Sequence, residues 1–418
     1  MSLDVHLSEP DEFNNNELHG AIKKVAIMKG IHDFGYHVDC ISGKKVNYVA
    51  NVFRVEIRET DNDHNNVSVI VKTLVNTERQ VLFHELHKRE VNAYNKVTSQ
   101  FLKLQDCLNE DDRLVLSKCL YSRAEPSKEV LILEDLRTNG FKIEDKLTNY
   151  GLLDFNDVSS ILSELAKFHA LSFVFEKQNP EMFDEVKSEF HDILFQTNFL
   201  NQTKLRDYFH DSFEMSLKSV TDLDAKDKLE KAQSKLLEIL QTYLKPARTN
   251  VLCHGDCWIN NMLFKWEANK QTKVCFIDFQ AMRYANPVTD IIYLLYICTD
   301  SNFRSEYLAQ LKSIYHDSLK SFLNLYDIDV NSVYPREDFE NDYQEFLPYG
   351  VLIAMIELRI VTMTPEDEAI LKGSKIVPDT DVSYVPGEID LFSFRVNDVV
   401  QEAVDNGALE KLLNVINS

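Results

Sequence analysis

Glycine is scarce in this sequence of 418 residues, which contains only 11 glycines. Gly43 is the single glycine between Gly35 and Gly140, so that stretch has no glycine-rich loop that could cradle a phosphate group. The pattern G-x-x-x-x-G-K-[ST] is also missing, which excludes the P-loop class of nucleotide-binding proteins. A phosphate bound by this chain must therefore be held by other backbone N–H groups and by side chains.

Basic residues are outnumbered by acidic ones, with 45 Lys and Arg against 67 Asp and Glu and a formal net charge of −22. Because no run rich in Lys or Arg occurs, nucleic acids and anionic membranes are not expected as partners. An anionic ligand would need a local site built from a few cations, backbone N–H groups and Mg²⁺. We therefore expect a small-molecule partner.

Signals for secretion or membrane insertion are not found. The first residues, MSLDVHLSEPDEFNNN, are polar and acidic, unlike a signal or transit peptide. The apolar run Val351–Ile356 is too short to span a bilayer. Seven scattered cysteines, an odd number, suit reduced thiols better than a disulfide framework. A cytoplasmic location is expected, and the sequence predicts no oligomeric state.

Residues 21–135 show the pattern of a small α+β lobe, after a segment, residues 1–20, that we expect to be flexible. YVANVFRVEIRE alternates apolar and polar residues, and VSVIVKTLV is rich in β-branched residues, which predicts paired strands. Helical spacing of apolar residues follows between residues 80 and 100. RLVLSKCLYS and EVLILEDL are two further strand candidates.

Residues 136–418 predict a large, mainly helical lobe. DVSSILSELAKFHALSFVFEKQ and DAKDKLEKAQSKLLEILQTYL have the periodicity of amphipathic helices. Only the segment between residues 250 and 279 interrupts this pattern, with short apolar strands joined by turns. The predicted fold class is α+β, with an antiparallel sheet and one helix in the smaller lobe.

The densest polar motif is VLCHGDCWINNMLF, in which His254, Asp256 and Asn261 form H-x-D-x-x-x-x-N. Asp278 ends the next apolar strand. Phosphoryl transfer to a hydroxyl uses one carboxylate to accept the proton, and a second carboxylate with an amide oxygen to hold Mg²⁺. Alternatively, Asp256 and Asn261 are turn residues and Asp278 caps a loop, since short motifs occur by chance. Their order and spacing together favour the catalytic interpretation.

Lys72 provides an independent indication from another part of the chain. It lies within the apolar run SVIVKTLV, where an unpaired ammonium would be unfavourable to bury. A kinase needs a lysine on an inner strand and a glutamate on the next helix. The following helix offers Glu85 and Glu90, of which we favour Glu90. The alternative is that the Lys72 amine simply reaches solvent.

The chain resembles the ecdysteroid kinase-like family, whose relatives include choline kinases and aminoglycoside phosphotransferases. The resemblance rests on HGDCWINNMLF, on the strand end IDFQ with the later Asp290, and on ILEDL before Gly140-Phe141. It extends from about residue 38 to about residue 300. It implies a two-lobed protein kinase-like fold that uses ATP and Mg²⁺.

The resemblance also implies roles for individual residues. Asp256 would be the catalytic base, and Asn261 and Asp278 the Mg²⁺ ligands. Lys72 would bind ATP phosphates with Glu90 as its ion-pair partner. The remaining roles are adenine contacts from the backbone of Glu134, Asp135 and Leu136, and structural support from His254, Trp258 and Asp290.

One departure from the family pattern concerns the turn NYVANVFR. Ala50 stands where the family usually has a serine, so phosphate contacts there would come from backbone N–H groups and Asn47.

The leading functional interpretation is a kinase that phosphorylates a hydroxyl of an apolar small molecule, and the resemblance names ecdysteroids. Two alternatives remain open: a kinase for choline, an amino sugar or a xenobiotic alcohol, and a pseudokinase that binds ligands without turnover.

Overall fold

The structure is a computed structural model that describes residues 16–41, 50–60, 62–74, 80–143, 152–203, 205–266, 272–363 and 391–417. It divides into two compact units. The N-terminal unit comprises residues 1–103, 115–142 and 277–280, and the C-terminal unit comprises residues 104–114, 143–276 and 281–418.

The N-terminal unit is built on a five-stranded antiparallel sheet with the strand order β1-β2-β3-β5-β4. The strands are β1 (Phe34–Cys40), β2 (Asn51–Glu59), β3 (Asn62–Thr73), β4 (Cys119–Arg123) and β5 (Val130–Glu134). The helices are α1 (Asn16–Met28), α2 (Gln80–Asn92) and the short α3 (Ser99–Leu104) that follows a π-helical segment, Ala93–Thr98. Residues 16–20, expected to be flexible, thus form the first turns of α1.

Strand alternation explains the core of this unit. Phe53, Val55 and Ile57 occupy every second position of β2 and are fully buried against α1, as are Val69 and Val71 of β3. Because successive side chains of a strand point to opposite faces, residue 72 lies on the face away from α1. The sheet therefore presents the Lys72 side chain to the other side.

The expected single helix between residues 80 and 100 is interrupted. Its middle part, Ala93–Thr98, is π-helical, and within it Tyr94 is buried with its ring 5.3 Å from that of Phe279. A π-helical turn accommodates one extra residue in a helix, which the periodicity of apolar residues does not reveal.

The C-terminal unit is mainly helical. Its helices are α4 (Phe155–Gln178), α5 (Pro180–Glu189), α6 (Thr197–Thr203), α7 (Leu205–Ser219), α8 (Leu223–Gln233), α9 (Leu236–Leu244), α10 (Val288–Cys298), α11 (Ser301–Asn324), α12 (Val330–Val333), α13 (Arg336–Glu345), α14 (Leu347–Val361), α15 (Leu391–Asp405) and α16 (Ala408–Asn417). Two small antiparallel ladders pair β6 (Val251–Cys253) with β9 (Arg283–Ala285) and β7 (Met262–Lys265) with β8 (Lys273–Phe276). The predicted α+β class is confirmed.

Helix α4 is long and apolar enough to cross a membrane by length and composition alone, but 89% of its most apolar window is buried inside the protein. Asp154 caps its N-terminus by accepting a hydrogen bond from the Asp157 N–H at 3.0 Å. A helix that is apolar on all sides is expected in the core of a large unit. We therefore describe α4 as a core helix that packs along α11.

Helices α10 and α14 approach each other closely at Gly350. A Cβ atom at this position would lie 2.7 Å from Ile292 Cγ2 and 3.0 Å from a ring carbon of Tyr296. Both neighbours are buried core residues of α10. Glycine at 350 thus allows the close approach of α14 to α10, the helix that carries Asp290.

Candidate functional site

In the N-terminal unit the structure brings together three of the predicted residues around one ammonium group. Lys72 on β3 places Nζ 2.8 Å from a carboxylate oxygen of Glu90 on α2 and 3.1 Å from Oδ1 of Asp278. Lys72 is only 7% exposed and Glu90 only 2%. Glu85, the other helix acid considered, instead lies near Lys88 on the exposed surface.

The electrostatics of this cluster follow from burial. Burial alone would lower the pKa of Lys72, but the carboxylates of Asp278 and Glu90 outweigh it and raise that pKa above its usual value. Burial raises the pKa of Glu90 to about 7, against the opposing effect of Lys72. One cation thus faces two acids, and the ammonium stays charged.

Asp278 adopts a backbone conformation that is uncommon for a residue with a side chain, with φ of +68°. This left-handed conformation is unfavourable by roughly 1–2 kcal/mol for an L-residue. Such strain persists where the surrounding structure holds it, often at functional sites. From this backbone position the Asp278 carboxylate contacts Lys72 through Oδ1.

The predicted adenine-binding segment is partly occupied by the protein itself. The Glu134 N–H donates to the Lys118 carbonyl at 2.9 Å, and the Glu134 carbonyl accepts from Ser117 Oγ at 3.1 Å. The Asp135 carboxylate accepts hydrogen bonds from Arg54, Ser68 and Arg137, so it holds the local structure. The backbone N–H and carbonyl of Glu134 thus already have partners within the protein, and the adenine contacts expected from Glu134, Asp135 and Leu136 stay a prediction. Asn47 lies outside the described residues.

In the C-terminal unit the loop that carries Asp256 is anchored through its backbone. Asp290 on α10 accepts hydrogen bonds from the N–H groups of His254, at 2.6 Å, and Gly255, at 2.9 Å. Gly255 has φ of +88°, and a Cβ there would lie 2.0 Å from the Ala281 carbonyl oxygen. Only glycine fits this position, which explains the H-G-D sequence.

Asp290 is itself fixed from the opposite side. His169 Nε2 lies 3.2 Å from Asp290 Oδ2, and His169 Nδ1 lies 2.8 Å from the hydroxyl of Tyr315. Burial would raise the pKa of Asp290, but the hydrogen bond from His169 and the nearby His254 and Arg283 lower it below its usual value. The anchor is therefore an ionised carboxylate whose oxygens all have donors.

The Asp256 side chain is held at both oxygens. Asn261 Nδ2 donates to Asp256 Oδ2 at 2.8 Å, and the hydroxyl of Tyr293 donates to Asp256 Oδ1 at 2.9 Å. His254 accepts the Asp256 N–H on Nδ1 at 3.2 Å, and the Trp258 carbonyl accepts the Asn261 N–H at 2.9 Å. The motif residues thus form one compact, hydrogen-bonded turn.

Metal binding can be considered for one buried cluster and for the two residues predicted as Mg²⁺ ligands. His169, Cys253 and Asp290 lie close enough together to share one. However, burial raises the pKa of the Cys253 thiol well above its usual value, and Asp290 already binds two backbone N–H groups. Oxygen atoms of the kind that Mg²⁺ prefers are present on Asp278, in the N-terminal unit, and on Asn261, in the C-terminal unit, where the amide nitrogen of Asn261 is bound to Asp256. Each of these side chains has chemistry that suits Mg²⁺, whereas the buried trio offers a thiol and a carboxylate that already accepts hydrogen bonds.

Sequence reasoning missed three residues that contact the Asp256 turn or its anchor: Tyr293, His169 and Arg283, whose Nη2 donates to the Gly255 carbonyl at 2.9 Å. Tyr293 could have been found, because it lies three residues after Asp290 and so on the same face of a helix. His169 and Arg283 carry no such local signal.

Comparison with known proteins gives one family and several solved structures. The family model described as the ecdysteroid kinase-like family matches residues 44–328. No curated protein matches this chain. Among solved structures, Plasmodium vivax ethanolamine kinase is 12% identical with a TM-score of 0.42, over 89% of this chain and 83% of that one.

Two further structures have lower TM-scores. The GDP complex of aminoglycoside 2'-phosphotransferase-IIIa is 15% identical with a TM-score of 0.38, over 85% of this chain and 99% of that one. Macrolide 2'-phosphotransferase from Brachybacterium faecium is 12% identical with a TM-score of 0.38, over 84% and 96%. The family match covers most of the chain and alone carries the assignment.

Proposed function

The chain belongs to the ecdysteroid kinase-like family, and from this premise we propose that it transfers the γ-phosphate of ATP to a hydroxyl of a small molecule. Membership makes it a small-molecule kinase of the protein kinase-like fold. The observation that carries the proposal further is the pairing of buried Lys72 with Glu90 and Asp278, from three separate segments of the sequence. A lysine held this way can bind nucleotide phosphates.

The proposed mechanism assigns one task to each residue. Lys72 binds the phosphates of ATP, and Glu90 fixes the ammonium. Asp256 accepts the proton of the acceptor hydroxyl through Oδ1 while the new P–O bond forms and ADP departs. Asn261 and Asp278 would hold Mg²⁺, which neutralises charge on the phosphates when bound. The N–H groups of Asp135 and Leu136 are proposed to contact adenine.

For the acceptor we propose an apolar alcohol, with ecdysteroids as the first class to test. We also propose that the protein acts in the cytoplasm, without nucleic acid or membrane. Four of its seven thiols (Cys253, Cys257, Cys275 and Cys298) are buried, and no disulfide links any of the seven, all of which lie among the described residues; this supports a reducing compartment.

The direct test is incubation with Mg·ATP and a panel of ecdysteroids, choline, amino sugars and simple alcohols, with detection of phosphorylated product by mass spectrometry. Asp256→Asn should lower turnover by about 10²–10⁴-fold and leave nucleotide affinity within twofold. Chelation of Mg²⁺ should abolish turnover. Nucleotide binding without any product from any acceptor would instead support a pseudokinase, and unchanged product formation by Asp256→Asn would refute the catalytic assignment.

One observation favours a positively charged acceptor as a second candidate. Glu357 on α14 is partly buried, and burial together with the charge of Asp256 raises its pKa to about 8. Among the described residues no hydrogen bond or cation offsets these two effects on its pKa. A cationic group on the acceptor would relieve the repulsion between the two acids.

This candidate is tested with a matched pair of acceptors, choline and its uncharged carbon analogue 3,3-dimethylbutan-1-ol. Glu357→Gln should lower kcat/KM for choline by about 10-fold, as expected for one lost charge interaction of roughly 1.4 kcal/mol, and leave the analogue unaffected. Equal effects on both alcohols would exclude charge recognition by Glu357.

A further inference from the structure

Tyr293 contacts the Asp256 carboxylate from helix α10. Its hydroxyl donates to Asp256 Oδ1 at 2.9 Å, whereas Asn261 Nδ2 donates to Oδ2 at 2.8 Å. Each oxygen therefore receives a donor from a different element. Asp290, one turn earlier on α10, binds the backbone of the same loop. One helix thus fixes both the main chain and the side chain of the Asp256 turn.

The surroundings of Tyr293 keep its hydroxyl a donor. Tyr293 is 6% exposed, and burial, followed by the charges of Asp256 and Glu357, raises its pKa well above the usual value. The titratable groups around it are Asp256 on the loop and Glu357 and Tyr349 on α14. Gly350 holds α14 close to α10 on either side of Tyr293, at Ile292 and Tyr296. The phenol is therefore confined.

The rotation of an aspartate carboxylate about its terminal bond is broad and weakly restricted. One hydrogen bond would leave Asp256 free to turn about that contact, whereas one donor at each oxygen fixes the plane of the group. The contact with Tyr293 therefore gives Oδ1 a defined direction.

We propose that Tyr293 is a positioning residue for phosphoryl transfer, because its hydroxyl fixes the orientation in which Asp256 Oδ1 meets the acceptor hydroxyl. The inference rests on the proposed function, in which Asp256 accepts the acceptor proton. Tyr293 itself exchanges no proton with the substrate. The motif H-G-D-x-W-x-N-N does not include it.

The experiment uses the full chain with Mg·ATP alone, so that water is the acceptor and phosphate release is measured. A water oxygen bonds to the γ-phosphorus, the bond to the β-phosphate oxygen breaks, and the water proton passes to Asp256. Tyr293→Phe should lower kcat by about 10- to 100-fold, since small misplacement of a reacting group has effects of this size. The KM for ATP should stay within twofold.

Tyr296→Phe is the matched control, because Tyr296 lies one turn later on α10 and is also buried, and its ring centroid lies 4.5 Å from Arg304 Cζ. It should leave kcat unchanged. Replacement of Tyr293 by 3-fluorotyrosine, which keeps the hydroxyl, should restore at least half of the wild-type kcat. Recovery of kcat with 3-fluorotyrosine would attribute the effect to the hydroxyl group and not to the packing of the ring. The same measurement tests the positioning role if Tyr293→Phe folds poorly.

The outcomes separate the inference from the function on which it rests. If Tyr293→Phe retains kcat, or if Tyr296→Phe loses as much, the positioning role is wrong and the kinase proposal stands. If Tyr293→Phe lowers kcat/KM only by raising the KM for ATP, with kcat unchanged, the positioning role is also wrong. If the wild-type chain releases no phosphate and forms no product with any acceptor, the proposed function fails first.

Discussion

The two units stabilise the acidic side chains of the candidate site by different interactions. In the N-terminal unit, Glu90 and Asp278 are held by a charge, the ammonium of Lys72. In the C-terminal unit, Asp290 is held by neutral backbone N–H groups and by His169. The stability of the first cluster depends on one cation, Lys72. The stability of the Asp290 carboxylate depends on the loop geometry that presents the N–H groups to it. The first arrangement suits a group that must also bind phosphate, and the second suits a rigid support.

The largest effect should come from removal of the cation. Lys72→Met leaves the buried Glu90 and the partly buried Asp278 without their cation, and we expect the free energy of unfolding to fall by about 3–5 kcal/mol, as for other broken buried ion pairs. Turnover should be lost as well, because the phosphates lose their ligand. Chemical denaturation and phosphate release measure the two effects.

The control for this prediction is the double variant Lys72→Met with Glu90→Leu. Replacement of a buried charged pair by apolar residues is often neutral or stabilising. The double variant should therefore regain much of the stability but none of the turnover. If Lys72→Met alone is as stable as the wild type, the cluster is not held by charge.

An intermediate effect is expected at the backbone-held carboxylate. Asp290→Asn removes the charge and one acceptor from a group that binds two N–H groups, so the free energy of unfolding should fall by about 2–3 kcal/mol, in the range for charged hydrogen bonds. Asp300→Asn is the control, because Asp300 caps α11 at the Phe303 N–H and asparagine caps equally well. If Asp290→Asn lowers the free energy of unfolding no more than Asp300→Asn does, the anchoring role of Asp290 is contradicted.

Within the described part of the chain, Glu357 is an acid of the C-terminal unit that is stabilised neither by a cation, as Glu90 is, nor by backbone N–H groups, as Asp290 is. Its pKa is about 8 in the folded protein against about 4.5 otherwise, so the fold prefers the protonated acid. This contribution to stability is fully present below pH 4.5 and is lost as the pH rises towards 8. Relative to the wild type, Glu357→Gln should therefore have a more favourable free energy of unfolding at pH 8 than at pH 5.

We expect a gain on the order of 1 kcal/mol at pH 8, less than the full shift implies because the carboxyl group is partly exposed. Thermal unfolding of both proteins across pH 5–8 measures it. Glu185→Gln, on the exposed surface of α5, should show no such trend. A constant difference between Glu357→Gln and the wild type at all pH values would show that the carboxyl group does not titrate in this range.

The sequence predicted much of the fold because its signals are local. Strand alternation located β2 and β3, and the burial of an ammonium in an apolar run pointed to Lys72. The helical pattern alone does not distinguish Glu85 from Glu90, because both lie on one amphipathic helix. Their different surroundings appear only once α2 is packed.

Other parts of the site could not be predicted because their contacts join distant positions. His169 and Asp290 lie 121 residues apart in sequence. The partner of β6 is β9, not the neighbouring strand of a hairpin. The hydrogen bonds that Glu134 makes with Lys118 and Ser117 likewise depend on how the edge of the sheet packs. Periodicity describes single elements, and these contacts belong to the assembly of several.

The π-helical segment Ala93–Thr98 has a consequence for insertions and deletions. An α-helix turns by about 100° per residue, so a chain lacking one residue here could continue as a regular helix with every later position rotated by that angle. Phe101, now fully buried, would then leave the core face. Glu90, before the segment, would keep its place beside Lys72. The length of this stretch, more than the identity of its residues, therefore sets the phase between the two halves of the helix.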